Sequence, residues 1–176
     1  VQNLPLHKID AIINLAGLAQ VGASFGDEAH YNNINVRVHT VLAEALLEAG
    51  SQARVIAVST GAVYDSSKPM PLNEKSDLLS QGSPYALSKI AMEKAMHKMA
   101  NKGLDVVVVR PFNHIGPGQL PGFLLPDLVS QIQKSEQVTV GNLKTYRDYT
   151  DVRDVVNAYL LLATKPVLSH DVYNVC

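Results

Sequence analysis

Three short apolar runs punctuate the first two thirds of the chain. Ala11-Ile12-Ile13-Asn14-Leu15-Ala16, Arg54-Val55-Ile56-Ala57-Val58 and Asp105-Val106-Val107-Val108-Val109-Arg110 are rich in β-branched residues and lack polar alternation. That is the pattern of strands buried on both faces, as in a parallel sheet. Between them the apolar spacing turns helical. Residues 27–49 predict a helix that ends in an Ala/Leu/Glu-rich stretch and stops at Gly50. Ser83 is placed to cap, and Pro84 to start, a second helix running to about Asn101. Beyond the third strand the pattern is looser. It predicts a Pro/Gly loop over 111–121, a helix over 123–135, a brief strand at Val138-Thr139-Val140, a helix over 151–164 and a last strand over 171–175. Strands alternating with helices predict an α/β fold with a parallel sheet.

Composition narrows the class. A chain of 176 residues suffices for one domain with a real core and is short for two. Lys plus Arg number 15 against 16 Asp plus Glu, so the basic excess expected of a nucleic-acid binder is lacking. No apolar run approaches the roughly 20 residues of a membrane helix, and neither nucleic acid nor membrane is an expected partner. The single cysteine, Cys176, is the last residue, which allows no intrachain disulfide and fits a reducing, cytoplasmic setting. Nothing near Val1 reads as a leader peptide. The histidines at 7, 30, 39, 97, 114 and 170 form no pair at metal-ligand spacing, so no metal is expected. Met92, Met96 and Met99 recur at helical spacing and read as core or as a helix contact.

The chemistry-bearing residues gather around the second helix. Tyr85 and Lys89 are four apart, which puts both on one helical face. An ammonium beside a phenol favours phenolate and makes the tyrosine usable as a general acid or base. The second strand runs directly into Ser59-Thr60-Gly61-Ala62-Val63-Tyr64. Hydroxyls at the carboxyl end of a parallel strand lie where open α/β sheets bind ligands. Two decoys compete. Gly22-Ala23-Ser24-Phe25-Gly26 matches the G-x-S-x-G of serine hydrolases, with Asp151 or Asp154 and then His170 in hydrolase order, but the strand ends about five residues too early for a nucleophile elbow. Gly116 to Gly122 nearly spells a dinucleotide fingerprint, yet Pro117 and Pro121 have no N–H to give a phosphate.

Taken together, Asn14-Leu15-Ala16-Gly17, Asn35-Val36, Ser59-Thr60 before Val63-Tyr64, and Tyr85 with Lys89 resemble, in order, the signatures of the extended short-chain dehydrogenase/reductases, the NAD-dependent epimerase/dehydratase family. Arg110-Pro111-Phe112-Asn113-His114-Ile115-Gly116-Pro117-Gly118-Gln119, Val140-Gly141-Asn142-Leu143, Arg147 to Asp154 and Val172 to Cys176 resemble its GDP-mannose branch.

The resemblance implies a doubly wound Rossmann-type sheet. Residues 1–112 would form the carboxyl-terminal half of a dinucleotide-binding domain, and residues 113–176 an incomplete nucleotide-sugar region interleaved with the last Rossmann elements. It implies NAD(H) or NADP(H) as coenzyme, a nucleotide sugar as substrate with GDP favoured, and a homodimer through the helices at 27–49 and 84–101. Tyr85, Lys89 and Thr60 would be catalytic. Ala16, Gly17, Asn35, Val58, Pro111, Tyr85 and Lys89 would line the coenzyme, and Ser24, Thr60, Asn113, Asn142 and Arg147 the nucleotide sugar. The family's sugar dehydratases carry an acid two positions after the catalytic hydroxyl, where this chain has Ala62. The implied reaction is therefore reduction of a GDP-4-keto-6-deoxy-hexose at C4. A nucleotide-sugar 4-epimerase or a non-catalytic binding relative is the alternative, and a serine hydrolase the remote one. The family's Gly-rich turn after its first strand, and the selector after its second, have no counterpart here. The expectation is a fragment that keeps the proton-transfer residues, lacks the pyrophosphate clamp and binds dinucleotide weakly if at all.

Overall fold

A computed structural model describes residues 4–176. A 3-10 turn at Leu6–Lys8 leads into β1 (Ala11–Asn14), followed by a short α1 (Val21–Ser24), α2 (Glu28–Glu48), β2 (Arg54–Val58) and a 3-10 turn at Gly61–Val63. After a long loop come α3 (Pro84–Ala100), β3 (Val106–Pro111), β4 (Asn113–Ile115), α4 (Leu124–Lys134), β5 (Tyr149–Asp151), α5 (Val152–Thr164) and β6 (Val172–Val175). β1, β2, β3 and β6 form one parallel sheet in that order, with Ile13 opposite Ile56, Ile56 opposite Val107 and Val109 opposite Tyr173.

The strand residues explain the two layers of helix. Successive side chains of a strand point to opposite faces. Val55, Ala57, Val106 and Val108 pack with Leu42, Leu46, Met92, Met96 and Met99 of α2 and α3. Ile56, Val107 and Val109 pack with Val155 and Tyr159 of α5 on the other face. The methionine stripe is therefore core. α2 ends where the chain needs a positive φ: Gly50 sits at +60°, and Ser51 N–H closes the turn onto the Leu46 carbonyl at 2.9 Å. The Ser83 hydroxyl accepts from Ala86 N–H at 3.2 Å, with Pro84 opening α3 as expected.

The brief strand expected at 138–140 differs from its pattern. Residues 138–140 form no strand, because the Thr139 backbone spends both its polar groups on the Gln131 side chain, at 2.8 Å and 3.3 Å. Conversely, part of the expected 111–121 loop is β4, which pairs in parallel with β5 in a separate two-stranded sheet. No helix among the described residues is long and apolar enough to cross a membrane.

Candidate functional site

The site is built where α3 crosses the carboxyl end of β2. Tyr85, Lys89 and Glu93 stand one turn apart on a single face of α3, and all three are buried, at 8%, 7% and 2% exposure. Three consecutive residues leaving β2 answer them. The Lys89 ammonium donates to the Val58 carbonyl at 2.8 Å and the Ser59 hydroxyl donates to the Glu93 carboxylate at 2.5 Å, while the Thr60 hydroxyl, which accepts from Ala62 N–H at 3.2 Å, lies near enough to the Tyr85 phenol to draw its titration down.

Burial pushes the Tyr85 phenol above its ordinary value, and the Thr60 hydroxyl pulls it part of the way back. The phenol is thus protonated at neutral pH. This differs from the expectation that Lys89 draws it toward phenolate, because the ammonium is aimed at the Val58 carbonyl. Lys89 itself is pushed down to about 8 by burial, with the charge of Glu93 opposing that fall. Its one partner among the described residues is Val58, so two of the three ammonium donors are free for a ligand.

Gly17 and Asn35 shape the wall above Lys89. Gly17 has φ of +153°, and a Cβ there would lie 2.8 Å from Asn35 Oδ1 and 3.6 Å from Lys89 Nζ, so only glycine keeps this approach open. Asn35 is fully buried. Its side chain accepts from Leu18 N–H at 2.7 Å and donates to the Leu18 carbonyl at 3.2 Å and to Ser88 Oγ at 2.8 Å. It pins the loop after β1 from behind rather than lining a crevice. Ala16 is exposed on that loop, while Val58 and Pro111 end neighbouring strands of the sheet. A free donor pair on a buried lysine, beside a glycine that a side chain would obstruct, fits a hydroxyl-rich ligand such as the ribose of a dinucleotide.

The expected sugar-side residues do not converge in the same way. Asn113, Asn142 and Arg147 are exposed. Asn142 Oδ1 accepts from Lys144 N–H at 2.9 Å, and Arg147 donates to the Tyr146 carbonyl at 2.7 Å. Asp151 caps α5 and pairs with Arg153 at 2.6 Å. Ser24 is fully buried and gives its hydroxyl to the Val21 carbonyl at 2.6 Å. Buried there, on a short helix separated from β1 by residues 15–20, it faces no substrate and is no nucleophile elbow. Among the described residues no cluster of His, Cys, Asp and Glu is arranged to hold a metal ion.

Two groups escaped the sequence reading. Arg110, at the end of the β3 valine run, holds Glu93 through Nε at 3.0 Å and Nη2 at 2.6 Å, and reaches the Tyr64 hydroxyl at 2.9 Å. The signal was present: a charge at a position patterned for burial must be paired. His39 is fully buried on α2. Its Nδ1 lies 3.1 Å from the Asn35 carbonyl and its Nε2 has no partner among the described residues. Burial first, and the charge of Lys89 second, push it down to about 4, so it is neutral.

Residues 1–176 match the NAD dependent epimerase/dehydratase family. The chain is 37% identical to GDP-6-deoxy-D-mannose reductase of Pseudomonas aeruginosa, over 95% of this chain and 57% of that protein. It is 31% identical to an uncharacterised UDP-glucose epimerase of Bacillus subtilis, over 97% of this chain and 54% of the other. The structure of RMD from Pseudomonas aeruginosa complexed with NADPH superposes with a TM-score of 0.81 at 35% identity, covering 95% of this chain and 60% of that one. The chain thus spans somewhat over half the length of these relatives, and it belongs to the NAD dependent epimerase/dehydratase family.

Proposed function

We propose that the protein is an NAD(P)-dependent nucleotide-sugar ketoreductase that reduces a GDP-4-keto-6-deoxy-hexose at C4. The observation that carries this reading is the buried Tyr85, kept protonated beside Thr60 and one turn from Lys89. Bound NADH or NADPH supplies the hydride. Tyr85 gives its phenolic proton to the ketone oxygen as C4 becomes an alcohol, acting as general acid. Thr60 orients that oxygen. Lys89 holds the coenzyme ribose with its free donors, and a solvent proton then restores the Tyr85 phenol.

The similarity to a GDP-sugar reductase favours GDP over other nucleotides. Ala62 supports reduction over dehydration, since it offers no carboxylate for a C5 proton, and it lies exposed beside Thr60. In this reading residues 1–112 bear the chemistry and residues 113–176 the nucleotide sugar, with Asn113, Asn142 and Arg147 on the substrate side. Arg147 suits a pyrophosphate because its guanidinium forks onto phosphate oxygens. Val41 and Leu87 leave apolar surface exposed on α2 and α3, which supports a homodimer through those helices.

The test is to mix the full-length protein with NADPH or NADH and GDP-4-keto-6-deoxymannose and to follow loss of reduced nicotinamide. Oxidation matched by formation of the 6-deoxy sugar nucleotide is expected. No oxidation with any keto-sugar nucleotide would overturn the proposal. Interconversion of a nucleotide sugar and its 4-epimer without net coenzyme consumption would assign an epimerase instead.

A further inference from the structure

Glu93 touches neither the Tyr85 phenol nor the Lys89 ammonium, yet its buried carboxylate accepts three hydrogen bonds beside them. Its carboxylate accepts from Ser59 Oγ at 2.5 Å and from Arg110 Nε and Nη2 at 3.0 Å and 2.6 Å. Arg110 continues through Nη1 to the Tyr64 hydroxyl at 2.9 Å and the Glu74 carbonyl at 3.2 Å. The Tyr64 hydroxyl donates to Asn174 Oδ1 at 2.6 Å, and Asn174 N–H donates to Glu74 Oε1 at 2.8 Å. One chain of hydrogen bonds thus ties α3 to the carboxyl ends of β2, β3 and β6.

The geometry points to Glu93 as a positioning residue: held by Arg110, it grips Ser59 and so sets the register of the β2 exit against α3, which keeps Thr60 near Tyr85 and the Val58 carbonyl on Lys89. This inference rests on the reading of Tyr85 as the general acid. The physical reason is the pairing of consecutive residues with consecutive helical turns. Val58 and Thr60 flank Ser59, so any slip of Ser59 moves both of their contacts together. A hydrogen bond to an ionised group is short and stronger than a neutral one, and a bidentate arginine leaves the carboxylate little freedom to turn. Catalysis by placement is sensitive to such a slip, since a misplacement of about 1 Å costs on the order of a hundredfold in rate.

Ser59→Ala is the clean variant, because it removes the grip while leaving the buried Glu93–Arg110 pair intact. Ser59→Thr keeps the hydroxyl and serves as the conservative rescue. Two readouts are taken in the full-length protein. In turnover, Ser59→Ala should lower kcat about tenfold with KM within twofold in a protein that is still folded at the assay temperature, and Ser59→Thr should recover most of kcat. Wild-type kcat in Ser59→Ala, or an equal loss in Ser59→Thr, would overturn the inference.

The second readout does not depend on any substrate. With 3-fluorotyrosine incorporated and the Tyr85 resonance assigned through Tyr85→Phe, the phenol is titrated by fluorine NMR. Besides Thr60 and Tyr31, the charged or titratable groups around this face are Lys89 and Glu93 on α3, His39 on α2, Arg110 on β3 and Tyr159 on α5. Loosening the Thr60 contact removes what pulls the phenol down, so Tyr85 in Ser59→Ala should titrate higher than in the wild type. An unchanged Tyr85 titration would overturn the positioning role even if the protein proves to reduce a different ketone. Absence of turnover with an upward shift would overturn the substrate reading alone.

Discussion

α3 and α4 are both helices with recurring apolar residues, and the protein treats them oppositely. α3 buries nine residues, among them Tyr85, Lys89 and Glu93, between α2 and the sheet. α4 buries none, although Leu124, Leu125, Val129 and Ile132 give it the more regular apolar face. Covering a face fixes the side chains on it, and an uncovered face fixes nothing beyond its own backbone. Tyr85, Lys89 and Glu93 are therefore held by packing and paired charges, while Asn113, Asn142 and Arg147, before and after α4, stay exposed and separate.

The contrast is broken most sharply by removing one charge from each region. Glu93→Gln leaves Arg110 buried against an amide, and loss of one partner of a buried pair costs about 3–5 kcal/mol. Denaturant unfolding should show a loss of that order, whereas Arg153→Ala, which removes the exposed pair with Asp151, should leave the midpoint unchanged. Equal effects would mean that the buried pair is no more than a surface one.

His39 offers a pH test of the same packed layer. Its folded pKa of about 4 lies below the unfolded value of 6.5, so between these values the unfolded chain binds more protons. Stability contributed by the neutral imidazole is present above pH 6.5 and is lost as pH falls toward 4, by on the order of 3 kcal/mol. His39→Met should flatten the stability profile across that window. A variant whose profile follows the wild type would place the acid sensitivity elsewhere.

The smallest effect belongs to the exposed region. Arg147→Ala should leave the melting temperature unchanged and raise KM for the nucleotide sugar about tenfold, the loss expected for a charge-assisted contact to phosphate. An unchanged KM would remove Arg147 from the substrate side.

Much of this contrast is legible in the sequence, for reasons that differ by region. The valine run of β3 and the span of β2 fix their own identity, since only a doubly covered strand tolerates such sequences. Ser83-Pro84 marks the start of α3, and Tyr85 and Lys89 then follow from the 3.6-residue period. The direction of the Lys89 ammonium was not legible, because it depends on the Val58 carbonyl, 31 positions away in the chain. The same holds for Asn35, whose burial is set by Leu18 and Ser88, and for Ser24, whose hydroxyl turns back onto Val21. Val138 to Val140 misled because local β propensity lost to a side chain, Gln131, that already occupied the backbone. The separate β4–β5 pair joins segments that read singly as loop.

The central claim is that Tyr85 is the proton donor of a ketone reduction. Single-turnover reduction of GDP-4-keto-6-deoxymannose by the full-length protein, compared with Tyr85→Phe at matched coenzyme saturation, tests it most directly. The account predicts that Tyr85→Phe binds coenzyme and sugar nucleotide as before, keeps its melting temperature and loses between about a hundredfold and ten-thousandfold in the rate of nicotinamide oxidation. A Tyr85→Phe protein that reduces the ketone at the wild-type rate would contradict it.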